Sequence, residues 1–119
     1  MKPIVDEIAK RLQNELKDNI DDFEGLYVFG SQVRGDATEN SDVDIIVLFK
    51  EHRLFQPDVF YEILSQMGFD YYDKIFLDVL PYTRKQLQNN YIFHDEVVNK
   101  GIYYGTWWVY WYFSTSKHW

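Results

Sequence analysis

Two aspartates, Asp42 and Asp44, and the pair Gly30-Ser31 are the residues of this chain whose types and spacing suggest chemistry. The aspartates stand two residues apart where an apolar run begins, so on a strand both side chains leave the same face. Neighbouring carboxylates repel each other, and a divalent cation with oxygen ligands is the simplest reason to keep both. Gly30 lets a ligand approach the backbone, and the amides after it would face an anion if they open a short helix. The pattern predicts a metal-dependent nucleotide site.

Two short apolar runs must position these residues. Residues 26–29 lead into Gly30-Ser31, and residues 45–49 follow Asp44. A polar loop, residues 32–41, separates Ser31 from Asp42. This pattern predicts a strand, a tight turn, a polar loop and a second strand, with the metal site and the phosphate site on neighbouring strand ends.

Gly30-Ser31, ten further residues and then Asp42-x-Asp44 resemble the signature of the polymerase-β-type nucleotidyltransferase superfamily. The short chain is most similar to the minimal nucleotidyltransferase branch, the antitoxin found beside HEPN-domain toxins in prokaryotes. The resemblance implies an α/β (α+β) fold, a mixed β-sheet flanked by helices. It divides the chain into a minimal nucleotidyltransferase domain, residues 1–105, and an aromatic C-terminal extension, residues 106–119. The alternative is a Gly-Ser turn and an aspartate-rich loop that only caps a strand.

Length and composition set further bounds. A chain of 119 residues with 46% hydrophobic and 26% charged residues is expected to form one globular domain. Its net charge of −7 argues against direct nucleic-acid binding, which depends on Lys and Arg. The absence of cysteine excludes disulfides and thiolate metal sites. No signal peptide and no apolar run of spanning length is visible, which predicts a cytoplasmic protein without a membrane partner.

Hydrophobic periodicity and turn residues predict the remaining elements. In chain order they are a helix over residues 3–18, a turn at 21–25, the strands at 26–29 and 45–49, a helix over 57–67 ended by Gly68, a strand over 74–80 closed by Pro81, a helical region from Arg84 with a break near 89–90, and a short strand at 102–104. Thr83 and Gln86 resemble a capping box at the start of the third helical region.

One aspartate, Asp78, interrupts the predicted strand 74–80. A carboxylate among apolar neighbours is costly unless something holds it. The third catalytic carboxylate of the resembled family lies on the strand after this helix, and Asp78 matches it. The alternative is a buried aspartate that only accepts structural hydrogen bonds. Asp73 lies outside the strand and is the weaker candidate.

The resemblance also assigns roles to the loop. The serine after the glycine contacts the triphosphate in the family, so Ser31 is expected to bind nucleotide beside Gly30. Arg34 could reach the same phosphates, or could be a solvated loop arginine. The expected catalytic and metal-binding residues are Asp42, Asp44 and Asp78, which can hold two Mg²⁺ ions, with ATP as the substrate.

In the antitoxin branch AMP passes from ATP to a tyrosine of the HEPN ribonuclease toxin, and this resemblance predicts the same protein AMPylation here. One alternative is nucleotidyl transfer to a small molecule such as an aminoglycoside. Enzymes of that type usually carry an extra helical domain, for which this chain has no room. Another alternative is a non-catalytic antitoxin that covers its toxin, which would not require three carboxylates and Gly-Ser.

The C-terminal segment is unusual because residues 107–113 are all apolar or aromatic. Such a run is too short to span a bilayer. It could pack on the domain's own core, form a surface for self-association or toxin binding, or extend passively. The sequence leaves these alternatives open.

Overall fold

The structure, a computed structural model, describes residues 1–51, 58–106 and 111–113. Four strands in these ranges form one mixed sheet in the order β3-β2-β1-β4, with helices on both faces, which confirms the predicted fold class. The elements in chain order are α1 Pro3–Asn19, β1 Phe23–Phe29, α2 Ser31–Arg34, β2 Val43–Phe49, α3 Val59–Tyr71, β3 Leu77–Thr83, α4 Arg84–Asn89, α5 Tyr91–His94, a π-helical turn Asp95–Asn99, and β4 Ile102–Gly105. Within the described ranges, no helix combines the length and apolarity that crossing a membrane requires.

The first helix packs on one face of the sheet. Pro3 stands in its first turn, where a missing N–H costs nothing, and one stripe of apolar side chains is fully buried. With α3 and the facing strand residues this stripe forms the first core cluster. The residues of the stripe are Val5, Ile8, Ala9, Leu12 and Leu16.

The register of the three strands β1, β2 and β3 aligns the ends that matter for chemistry. Strand β1 runs antiparallel to β2 and pairs Phe29 with Asp44. Strand β2 runs parallel to β3 and pairs Asp44 with Asp78. The residue before Gly30 and two of the three candidate carboxylates therefore lie abreast across neighbouring strands.

The opposite face of the sheet carries the second core cluster, to which α4, α5 and the π-helical turn contribute. Phe113 is buried in it, with its ring 6.2 Å from the ring of Tyr27. The hydroxyl of Tyr112 donates to Gln88 Oε1 at 2.9 Å. Tyr112 and Phe113 therefore pack on the domain's own core, which is the first of the alternatives given for the aromatic segment. Residues 107–110 and 114–119 lie outside the described part.

The first strand begins earlier than predicted, and the predicted turn at Gly25 is wrong. Gly25 lies within β1, opposite Gly105 of β4, beside an irregularity in the β1–β2 register. A β-carbon at Gly25 would overlap the ring of Tyr103. The glycine therefore makes room for an aromatic ring on the sheet.

Helix α3 and strand β3 also extend beyond their predicted ends. Met67 and Tyr71 lie one helical turn apart and are both buried in the first cluster, so α3 continues through Gly68. Strand β3 includes Pro81 because it is an edge strand among the described ones, where a missing N–H can face away from the sheet. The predicted capping box is present, since the Thr83 N–H donates to Gln86 Oε1 at 2.8 Å and the Gln86 N–H donates to Thr83 Oγ1 at 3.1 Å.

Candidate nucleotide and metal site

The structure brings the three predicted carboxylates to one region of the sheet. Asp44 and Asp78 are register partners on β2 and β3, and Asp42 immediately precedes β2 on the same face as Asp44. Asp44 is partly buried, whereas Asp42 and Asp78 are exposed. The expectation that Asp78 is a buried charge is wrong, because β3 is an edge strand; its place beside Asp44 is the one that the resemblance implies.

Electrostatic coupling shows how close these groups are. Burial raises the pKa of Asp44, and the negative charges of Asp78 and Asp42 raise it further. The positive charge of Arg34 lowers the pKa of Asp44 in part. Asp44 is thus a carboxylate whose surroundings carry excess negative charge and would favour a cation.

A first prediction concerns stability and pH. The folded-state pKa of Asp44 is raised, so the protonated carboxyl favours the fold under acidic conditions, and this contribution is lost as pH rises through that pKa. Asp44→Asn removes the charge, and the metal-free variant is expected to melt at a higher temperature than wild type near neutral pH. Thermal melts in EDTA should show that the difference in melting temperature between the variant and wild type becomes smaller as the pH is lowered. Asp73→Asn, on an exposed carboxylate outside the site, is the control; a lower melting temperature for Asp44→Asn at neutral pH would contradict the prediction.

Gly30 stands against the Asp44 carboxylate. Its φ of 81° lies in the left-handed region, and a β-carbon there would overlap Asp44 Oδ2. The Gly30 carbonyl accepts hydrogen bonds from the N–H groups of Val33 at 3.1 Å and Arg34 at 3.0 Å. These bonds form α2, the short helix expected after the Gly-Ser pair, with Ser31 as its first residue.

Gly30→Ala is therefore expected to reduce activity about a hundredfold, because a displaced carboxylate misaligns the reacting groups. Gly35→Ala is the matched control. Gly35 also has a positive φ, 89°, but a β-carbon there meets nothing within 4 Å. Gly35→Ala should lose about 1–2 kcal/mol of unfolding free energy through backbone strain, and Gly30→Ala should lose more, because its ψ of −154° belongs to a region that only glycine adopts readily. Equal activities for the two variants, measured at a temperature where both are folded, would show that the carboxylate contact is unimportant.

Arg34 lies near Asp44, but its guanidinium is paired with two other carboxylates. Its guanidinium forms an ion pair with Asp36 at 3.4 Å and hydrogen-bonds to Glu96 of the π-helical turn. From the sequence, Arg34 is expected either to bind phosphate or to be a solvated loop residue, and neither alternative predicts the contact with Glu96. A phosphate at this arginine would compete with Glu96 for the guanidinium.

One buried residue of the site, Gln32, has no counterpart in the sequence predictions. Gln32 is 2% exposed, and its Nε2 donates to the carbonyl of Ser41 at 3.2 Å and to the carbonyl of Asp42 at 3.5 Å. It thereby ties α2 to the end of the polar loop and positions Asp42. Glutamine is usually a surface residue, so composition offers no signal for this role.

The three carboxylates have the donor chemistry, though not the side-chain arrangement, of a divalent cation site. As the side chains stand, no three His, Cys, Asp or Glu residues in the described ranges form a group that could hold one metal ion. Asp42, Asp44 and Asp78 nevertheless offer only carboxylate oxygens, the ligands that Mg²⁺ prefers. The pKa of Asp44 is raised by burial and then by the charges of Asp78 and Asp42, and a bound cation would offset those two charges. The site is suited to Mg²⁺ in its chemistry, with Asp44 and Asp78 already adjacent.

Comparison with known proteins adds family information. Residues 6–107 match the family described as nucleotidyltransferase domain. The chain is 34% identical over 100 residues to a protein of Methanocaldococcus jannaschii named for an inferred protein adenylyltransferase activity, covering 83% of this chain and 93% of that protein. A second protein of that organism, with the same description, is 33% identical over 89 residues, covering 74% of this chain and 83% of its own length.

Several solved structures with a similar fold are of toxin–antitoxin complexes. A chain from a toxin–antitoxin structure with AMP-PNP has a TM-score of 0.61 at 25% identity, covering 91% of this chain and 79% of that chain. A chain from the complex of a tri-AMPylated Shewanella oneidensis HEPN toxin with an MNT antitoxin has a TM-score of 0.57 at 20% identity, covering 92% and 80%. At the latter identity the similarity shows the fold alone.

Proposed function

Because this chain belongs to the nucleotidyltransferase domain family and is a nucleotidyltransferase, we propose that it is a Mg²⁺-dependent antitoxin that transfers AMP from ATP to a tyrosine of a HEPN-type toxin. The observation that carries the proposal is the placement of Asp44, which lies against Gly30 and beside Asp78 and whose pKa is raised by burial and by its acidic neighbours. Such a cluster at the start of α2 suits a metal-bound triphosphate better than a structural role.

Each residue of the site has a role in this proposal. Asp42, Asp44 and Asp78 would hold Mg²⁺, which supplies positive charge to the phosphate oxygens when bound. The Ser31 hydroxyl donates a hydrogen bond to the triphosphate. Arg34 leaves Glu96 to balance the negative charge that builds up on the departing pyrophosphate.

The reaction is an in-line displacement at the α-phosphorus. The phenolic oxygen of the acceptor tyrosine forms a bond to this phosphorus, and the bond from the phosphorus to the bridging oxygen of the β-phosphate breaks. Asp78 accepts the proton of the phenol, and pyrophosphate leaves with the electron pair of the broken bond. The products are an AMP–tyrosine phosphodiester and pyrophosphate.

The choice of a protein acceptor draws support from the relatives. Two curated relatives carry the name of a protein adenylyltransferase, and a structural neighbour at 25% identity is part of a toxin–antitoxin structure with AMP-PNP.

Another prediction tests whether ATP binding depends on the metal. Calorimetric titration with ATP in the presence of Mg²⁺ should show binding that is lost in EDTA and restored by excess Mg²⁺. The physical reason is that carboxylates and triphosphate repel each other unless a cation lies between them. Equal affinity for ATP with and without divalent cations would contradict the proposed site.

The transfer itself is tested with two labels. The protein and Mg²⁺ are incubated with a candidate HEPN-type partner protein and with ATP labelled at the α-phosphate or, separately, at the γ-phosphate. The α-label should appear on a tyrosine of the partner, whereas the γ-label should not. Toxin neutralisation by binding without any label transfer would favour the non-catalytic alternative, and label on an aminoglycoside alone would favour the small-molecule alternative.

A further inference from the structure

The outer edge of β3 carries backbone groups that the described sheet does not use. The Val43 N–H donates to the carbonyl of Phe76 at 2.9 Å, so alternate residues, Phe76 and Asp78, direct their peptide groups toward β2. Leu77 and Val79 consequently direct their N–H and C=O groups away from β2. In the described ranges no other strand pairs with this side of β3.

This open edge is short and has a defined end. Pro81, the next residue that faces outward, has no N–H to donate. The N–H of Thr83, two residues later, is already bonded to Gln86 Oε1. The free donors are therefore those of Leu77 and Val79, a length suited to a short extended peptide and too short for extensive sheet-to-sheet pairing.

An apolar cavity of about 490 Å³ runs along the same edge, between it and α3. Phe76 and Tyr72 in its wall are 70% and 78% exposed, so the cavity presents aromatic surface to solvent that a bound peptide could cover. The wall also includes Leu64, Gly68, Leu77 and Val79, and the cavity reaches Asp78. A peptide paired with β3 would direct alternate side chains into this cavity.

The remaining side chains of such a peptide would face the carboxylates. Along a strand, Asp78 points to the opposite face from Leu77 and Val79, and Asp44 lies beside Asp78 on that face. A tyrosine on the paired peptide, at the level of Asp78, would therefore face the reacting groups while its two neighbours face the cavity. The edge strand would then align the acceptor backbone and set which tyrosine reacts.

We infer that the edge Leu77–Val79 and the cavity beside it bind the acceptor as an added β-strand, with an apolar residue on each side of the reacting tyrosine. This inference rests on the proposed transfer of AMP to a tyrosine. The net charge of −7 favours an acceptor with basic residues beyond this apolar–Tyr–apolar core. The expected occupant is a basic, extended segment of the partner protein.

The inference is tested with synthetic acceptors and α-labelled ATP. The probes are a seven-residue peptide with the sequence Lys-Ala-Val-Tyr-Val-Ala-Lys and the small acceptor N-acetyltyrosinamide, which keeps the two amides of the tyrosine itself but has no flanking residues to enter the cavity. Single N-methylation of each peptide amide in turn should reduce kcat/KM about tenfold at alternate positions only, because outward and inward amides alternate on a paired strand. Uniform effects or none along the peptide would overturn strand pairing.

A matched pair of protein variants tests the cavity. Phe76→Ser removes an exposed ring from the cavity wall, and Phe69→Ser removes a ring of nearly the same exposure, 71% against 70%, from α3 outside the wall. Phe76→Ser should lower kcat/KM for the peptide about tenfold and leave the rate with N-acetyltyrosinamide unchanged. Phe69→Ser should change neither. Equal peptide rates for wild type and Phe76→Ser would overturn the role of the cavity.

The proposed function and this inference fail in different ways. Mg²⁺-dependent transfer to N-acetyltyrosinamide or to the partner protein, without alternate N-methyl effects, would retain the proposed function and reject the docking edge. Transfer to none of these acceptors would reject both. NMR provides a readout that does not depend on turnover. Addition of the peptide should shift the amide signals of Leu77 and Val79. Unchanged signals at both amides would show that the edge does not bind the peptide.

Discussion

Asp44→Asn is expected to slow AMP transfer about a thousandfold and to leave the fold intact. Asp44 is the central group of the site, in contact with Gly30 and beside Asp78 on the adjacent strand. An amide of the same shape loses the negative charge that a metal ligand needs. Loss of a ligand costs about 4 kcal/mol of transition-state stabilisation, which corresponds to this factor in rate.

The measurement is the initial rate of α-label transfer at saturating Mg²⁺, together with far-UV circular dichroism and a thermal melt. Asp73→Asn is the matched control, because Asp73 is an exposed carboxylate a few residues before β3 and outside the site. The control should retain wild-type activity. Near wild-type transfer by Asp44→Asn would remove Asp44 from the catalytic machinery, whereas an unfolded variant would assign it a structural role.

Much of the fold could be predicted from periodicity and local turn chemistry. The buried stripe of α1 and the capping box of Thr83 and Gln86 are local patterns, and both are present as expected. The predicted end of the second helix at Gly68 is wrong. Glycine commonly ends a helix, but here α3 continues because Tyr71, one turn beyond Met67, is buried. Tertiary burial decides such cases, and no local pattern contains it.

Strand order is a second property that no local pattern contains. A strand with Pro81 in it is unexpected until β3 is known to lie at an edge. The same fact explains why Asp78 is exposed although its sequence neighbours are apolar. An edge strand has one side without a partner, so both residues are tolerated there without burial cost.

The residues of the candidate site that form a sequence motif are predictable from the sequence. The hydrogen bonds and ion pairs that surround them are not. Gly30 and Asp44 were predicted from their spacing, and the register of β1 and β2 places them in contact. The bond from Gln32 to the Asp42 carbonyl and the pairing of Arg34 with Glu96 join residues that no spacing rule connects. Contacts across 10 and 62 positions of sequence require the folded chain.

Phe113→Ala is expected to destabilise the domain by about 3–5 kcal/mol, the cost of deleting a fully buried aromatic side chain. Phe113 is 1% exposed, and its ring lies within 6.2 Å of those of Tyr27, His94 and Tyr112. These contacts attach the C-terminal segment to the second core cluster. Deletion of the ring leaves a cavity that the surrounding sheet and helices fill only in part.

Urea unfolding of full-length Phe113→Ala and Trp111→Ala measures this effect. Trp111 is 54% exposed, so its replacement should cost less than about 1 kcal/mol. Sedimentation of the same samples separates core packing from self-association, because a residue of the domain's own core lowers stability without a change in oligomeric state. If Phe113→Ala instead kept wild-type stability and altered only association, the aromatic segment would serve an interface rather than the core.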